Sequence, residues 1–87
     1  MRLDVFLKQS RLVKRRSIAK ELCDEGAVAL NGRPARAGKD VTVGDRVNLR
    51  FWNRLLEIEI ERIPERPPST KDAGTLYRLL SEKRIDD

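Results

Sequence analysis

Between Val5 and Lys20 the chain carries six cationic side chains, Lys8, Arg11, Lys14, Arg15, Arg16 and Lys20, without one acid. A solvated helix face normally mixes in acids for i,i+4 pairing and solubility. A run of cations alone suits phosphate contact instead. Arginine outnumbers lysine 13 to 6 over the chain, and its planar guanidinium meets phosphate oxygens two at a time. Nucleic acid is therefore the first partner class to consider. A membrane-surface helix fits less well, because bulky aromatics are lacking on the apolar face. Arg2 and Asp4 stand just ahead of this run. A plain surface ion pair between them would contribute about 0–1 kcal/mol; orienting a nearby arginine towards a partner is the more useful role for Asp4. Arg33, Arg36 and Lys39 either extend the patch or are scattered surface charges.

Other chemistries are poorly supplied. Histidine is absent, which excludes imidazole acid–base catalysis, a Ser-His-Asp triad and histidine-bound zinc. Lone Cys23 can form neither an internal disulfide nor a cysteine zinc site, and an apolar stripe around it makes it a core thiol. Ser17 with Lys20 belongs to no recognisable nucleophilic motif, and Gly26, Gly32, Gly38, Gly44 and Gly74 do not form a phosphate loop. No enzymatic activity, cofactor or metal is expected. There is no apolar run of about 18 residues and no secretory core behind Met1, so a soluble, cytoplasmic protein with no membrane partner is expected.

The elements that must present the cations are short. Leu3, Phe6 and Leu7 stand at helical spacing within Arg2–Ser10. A break near Ser10–Val13 precedes a second helix, about Lys14–Glu25, with Ile18, Ala19, Leu22 and Cys23 inward and Gly26 as its left-handed terminator. Cations at that helix start oppose its macrodipole, and a bound anion would remove the conflict. Beyond Gly26 the period becomes two. Val28 and Leu30 point inward, Asn31-Gly32 marks a tight turn, and Arg33–Arg36 forms a short return strand or loop. Val41 and Val43 mark another short extended piece. Arg46–Phe51 and Leu55–Ile63 form a hairpin. With Trp52-Asn53 as its loop, Leu49 faces Leu56, Val47 faces Ile58, Asn48 faces Glu57 and Arg46 faces Glu59. A longer loop is the alternative, since Trp52 suits a type I′ turn badly; at a loop tip it is also the aromatic placed to stack on a base. Pro64–Thr70 ends the sheet as a stiff linker. Ser69 and Asp72 resemble a capping box, and Ala73, Leu76, Tyr77 and Leu80 predict a third helix over Lys71–Lys83.

With 87 residues, 38% charged, and a net charge of +5, this is one small basic domain. Residues 1–50 hold 12 basic against 6 acidic side chains, whereas residues 51–87 hold 7 against 8. The positive charge is thus a patch in the first half. The expected class is α+β: two N-terminal helices on a small, mainly antiparallel, twisted sheet, then a linker and C-terminal helix. Residues 1–63 form the expected domain that carries this patch, and 64–87 the linker and helix.

L-D-V-F-L at 3–7, R-L-V-K-R-R at 11–16, A-K-E-L at 19–22, G-A-V-A-L-N-G at 26–32 and V-G-D-R-V at 43–47 resemble, in order, the RNA-binding domain first recognised in ribosomal protein S-four. The start M-R-L-D-V-F-L-K, the block S-R-L-V-K-R-R-S and the end T-L-Y-R-L-L-S-E-K are similar to the RqcP family of bacterial ribosome quality control. That resemblance implies a non-enzymatic factor, monomeric when free, on the large ribosomal subunit obstructed by a stalled nascent chain. Its partners would be large-subunit rRNA and P-site tRNA. It would support RqcH, a functional partner, in adding an untemplated alanine tail. Arg2 and Arg16 match the family positions expected on RNA backbone, and Asp4 the acid beside them. Lys8, Arg11, Lys14, Arg15 and Lys20 fit the same surface. The related heat-shock protein fifteen family, a rescue factor for peptidyl-tRNA, usually carries a longer basic C-terminal extension, which residues 51–87, with 7 basic against 8 acidic side chains, do not match. A general binder of structured RNA is a further alternative. So is a protein-interaction module that docks Leu76, Tyr77 and Leu80 in a partner groove.

Overall fold

Apolar side chains set at helical spacing and then in strict alternation build two layers. The computed structural model describes residues 1–85, so the last two residues of the expected 64–87 segment lie outside the described residues. Helices α1 (Leu3–Gln9) and α2 (Arg16–Asp24) cover one face of a sheet formed by β1 (Val28–Leu30), β2 (Arg33–Pro34), β3 (Arg46–Phe51), β4 (Arg54–Ile60) and β5 (Tyr77–Arg84). The strand order is β2-β1-β3-β4-β5, and every pairing is antiparallel. Leu3, Phe6 and Leu7 of α1 and Ala19, Leu22 and Cys23 of α2 meet Val28, Leu30, Val47, Leu49, Ile58 and Ile60 in one core.

Both helices end on left-handed residues. Gly26 follows α2 with φ +76°. Its amide donates to the Cys23 carbonyl, and the Ala27 amide reaches back to the Leu22 carbonyl. This is the paired hydrogen-bond pattern that a left-handed residue after a helix makes. Arg11 does the same job after α1 with φ +62°, its amide donating to the Lys8 carbonyl. Ser10 is buried there and donates its hydroxyl to the Leu7 carbonyl. The break expected at Ser10–Val13 is thus a tight, hydrogen-bonded turn.

The β3–β4 hairpin has the anticipated register: Leu49 with Leu56, Val47 with Ile58, Asn48 with Glu57 and Arg46 with Glu59. Its loop is Trp52-Asn53, closed by the Phe51–Arg54 pair. Of these two loop residues only Trp52 has a positive φ, +59°, so the turn is not the type I′ form that requires both. Asn31-Gly32, at φ +51° and +87°, has the type I′ signs. The extended piece expected around Val41 and Val43 is reduced to an isolated bridge between Arg2 and Asp40; Val41 is buried, but Val43 is exposed.

The C-terminal segment departs from expectation. Instead of one helix over Lys71–Lys83, a single turn α3 (Thr70–Ala73) and a 3₁₀ turn (Gly74–Leu76) lead into β5. The cap was legible, since the Ser69 side chain accepts the Asp72 amide at 3.2 Å. Continuation past Gly74 was not. T-L-Y-R-L-L-S-E-K satisfies a helical period only while β4 is ignored. The free edge of β4 offers backbone partners along its length, and β5 takes them, with a register shift at Glu57/Ile58. Arg78 adds ion pairs to Glu59 (3.4 Å) and Glu61 (3.5 Å), and Arg54 one to Glu82 (3.8 Å). Tertiary pairing overrides a local helical preference that is weak around a glycine. Leu76 is consequently in the core and Tyr77 lies half-buried against it. Leu76 is thus unavailable to a partner's groove and Tyr77 only partly available, so two of the three side chains of the protein-docking alternative pack on the domain itself.

Candidate nucleic-acid interface

Asp4 is the pivot of the cationic edge. It sits in the first turn of α1, where an acid suits the helix dipole, and is only 1% exposed. A buried carboxylate without partners would cost several kcal/mol. This one has four donors. Oδ1 accepts from Arg2 Nε (3.2 Å) and the Val5 amide (2.9 Å), and Oδ2 accepts from Arg2 Nη2 (3.2 Å) and Arg16 Nε (3.0 Å). Burial alone would raise the Asp4 pKa, but the hydrogen bonds from Arg16 and Arg2, the Arg16 charge and the Val5 amide together hold it below the ordinary 3.8. It is an anion at neutral pH, and it clamps two arginines.

The clamp fixes the arginines without hiding them. The Arg2 and Arg16 side chains remain 48% and 54% exposed. Arg16 uses only Nε on Asp4, so both terminal nitrogens stay available; Arg2 keeps Nη1. The backbone supports the same arrangement. The Leu3 amide donates to the Lys39 carbonyl (2.8 Å), the Asp4 amide to the Ala37 carbonyl (3.0 Å), and the Val41 amide to the Met1 carbonyl (2.9 Å). The Arg2 guanidinium lies against Gly38, where an added Cβ would meet Nη2 at 3.7 Å. Residues 37–41 therefore help to hold the site, a contribution invisible in the sequence because the contact spans more than thirty residues.

The other expected site residues fall into groups, all of them exposed. Arg36 and Lys20 join Arg2 around a depression lined also by Cys23, Asp24, Ala37 and Gly38. Lys8, Arg11 and Lys14 line a separate groove walled by Pro67 and Pro68. Arg15 is the N-cap residue of α2, and its side chain makes no capping bond. The first turn of α2 holds no acid, so its free amides and the adjoining cations are open to an anion. Arg33 stands in β2, beyond the clamp, at the far edge of the sheet. Among the described residues, Lys8, Arg11, Lys14, Arg15, Lys20, Arg33 and Arg36 make no ion pair within the chain.

Burial, followed by the charges of Asp4 and Asp24, pushes the Cys23 thiol up to about 11, far from a reactive thiolate. Among the described residues no group of His, Cys, Asp and Glu could hold a metal ion, and no helix is long and apolar enough to cross a membrane.

The S4 domain model matches residues 1–47, the stretch that carries the Asp4 clamp and the first two strands. The similarity also extends over the whole chain. It is 38% identical over 87 residues to the RQC P-site tRNA stabilizing factor of Bacillus subtilis, covering 100% of both proteins. To the factor of that name from Halalkalibacterium halodurans it is 45% identical over 85 residues, covering 98% of this chain and 96% of the relative. The chain belongs to this family. Among solved structures, the trimeric structure of Vibrio cholerae heat shock protein 15 superposes with a TM-score of 0.86 at 33% identity, covering 93% of this chain and 82% of that one. These two tRNA stabilizing factors are matched over 96% or more of their length, whereas nearly a fifth of the heat shock protein lies outside the match.

Proposed function

We propose that this protein is a non-catalytic RNA-binding factor of ribosome quality control in the cytoplasm. It binds the obstructed large ribosomal subunit, touching rRNA and P-site tRNA, and supports RqcH-dependent alanine tailing of the stalled chain. Residues 1–63 act as the RNA-binding unit, and β5 braces it by completing the sheet. The free protein is a monomer.

One observation carries this reading: a buried carboxylate holds two half-exposed arginines at fixed positions with donors to spare. Arginines tied up by their own acids would have nothing to offer RNA. Here the ion pairs use mainly Nε and leave terminal nitrogens for phosphate or a base face. Two RNAs brought together repel each other, and a compact body with a cationic edge lowers that repulsion without chemistry. Structured RNA is recognised largely by shape and backbone, so little base specificity is expected from this edge. A heat-shock-protein-fifteen-like rescue role shares the fold but is matched over less of the relative's length.

Pull-down of the tagged protein, with RNA sequencing and mass spectrometry, tests the proposal. Large-subunit rRNA and proteins with enriched tRNA support it. Many mRNAs without ribosomal proteins contradict it and favour a general RNA binder.

A further inference from the structure

The β3–β4 tip concentrates three features that each work against the stability of the isolated chain. Trp52 is 86% exposed. Its φ of +59° lies in the left-handed region that favours glycine. Beside it, Arg54 of β4 stands directly opposite Arg84 of β5, a like-charge pair only partly offset by the Arg54–Glu82 contact at 3.8 Å. Residues 46–54 hold Arg46, Arg50 and Arg54 and no acid. Arg50 is exposed and, among the described residues, in no ion pair.

The turn that carries the indole is nevertheless tied to the sheet. Phe51 packs edge-on against it, with ring centroids 6.1 Å apart at 70°. The Ile85 amide donates to the Asn53 carbonyl and ties the end of β5 to the turn. Trp52 and Arg50 border a depression with Leu22, Glu25 and Gly26, at the C-terminal end of α2. The Asp4 clamp engages Arg16 at the opposite end of that helix, about 13 Å away for nine residues.

We infer that the Trp52 tip is a second RNA contact, separate from the Asp4 clamp, on which an unpaired base stacks while Arg50 and Arg54 meet the flanking phosphates. Bases stack on aromatic faces irrespective of sequence, and neighbouring arginines add backbone contacts. An anionic strand would offset the Arg54–Arg84 repulsion and cover the exposed ring; Glu25 is the one acid bordering the depression. The inference rests on the proposed function only in taking RNA as the partner.

Trp52 is the sole tryptophan, so fluorescence excited selectively at tryptophan reports on this site alone. The probes are a synthetic RNA stem-loop with an unpaired loop and a fully paired duplex of equal length. The stem-loop should quench Trp52 and the duplex should not. Trp52→Gly should raise the melting temperature by relieving the left-handed strain. It should also weaken stem-loop binding about 5- to 150-fold while leaving duplex binding unchanged. Trp52→Phe should recover most of the loss. Wild-type affinity of Trp52→Gly for the stem-loop overturns the inference, and if Arg16→Ala weakens both RNAs in that same experiment the clamp reading stands. A fluorescence change with phosphatidylglycerol vesicles but not with RNA overturns it in favour of a membrane contact. No binding of either RNA by the wild type overturns both readings.

Discussion

Arg16 Nε donates to Asp4 Oδ2 at 3.0 Å, joining the first residue of α2 to the first turn of α1 across twelve positions of chain. Long cationic side chains lose conformational freedom when they bind. An arginine already held by a buried anion loses less on meeting phosphate, so part of the ordering cost is met during folding. The same carboxylate holds Arg2, and the two guanidinium groups are presented as a unit.

Replacing Arg16 with alanine removes one charge-assisted contact from this unit. Binding to large subunits should weaken by about 1–3 kcal/mol, or about 5- to 150-fold. Co-sedimentation of the variant and the wild type with the subunit measures this, and equal recovery of both would contradict it.

Phosphate contacts release counterions, so affinity must fall with salt. For about five neutralised phosphates, a log–log slope of about −3.5 on single strands to −4.5 on duplex is expected. A filter-binding titration across salt concentrations gives the slope. A flat response would move the contact surface away from the cations.

The Asp4 carboxyl has a lowered pKa in the fold. As pH falls, the unfolded chain takes up its proton first. The stabilisation is therefore complete above the ordinary value of 3.8 and is lost as pH drops through the lower native value. Asp4→Asn should destabilise the protein by about 1–3 kcal/mol at neutral pH. Denaturant unfolding at successively lower pH should show this difference shrinking below the ordinary carboxylate range. A difference that does not vary with pH would contradict the pairing.

Leu76 is fully buried, whereas Leu79 on β5 is 49% exposed. Leu76→Ala should cost about 2–5 kcal/mol of stability, and Leu79→Ala no more than about 0.5 kcal/mol. Chemical denaturation measures both. Equal small effects would mean that the C-terminal segment does not complete the core.

Legibility followed the range of the interactions. The hairpin register could be read because apolar pairs Val47–Ile58 and Leu49–Leu56 face one side while Arg46–Glu59 falls on the other. Gly26 and Asn31-Gly32 announced their turns because their conformations are intrinsic to the residues. Tyr77–Lys83 was misread as helix because its strand state depends on β4, whose paired residues lie 17 or more positions earlier. Arg2, Asp4 and Arg16 could be singled out by type and by resemblance. That one carboxylate holds both arginines, with Gly38 against Arg2, follows only from the packing of α1, α2 and residues 37–41.

The affinity of Asp4→Asn for large subunits bearing P-site tRNA separates positioning from mere charge. The substitution raises the net charge from +5 by one, and charge alone would then improve binding to a polyanion. Loss of the clamp should instead weaken it, to roughly the level of Arg16→Ala. Binding by Asp4→Asn as tight as the wild type, or tighter, would contradict the claim that a buried carboxylate sets the arginines for RNA.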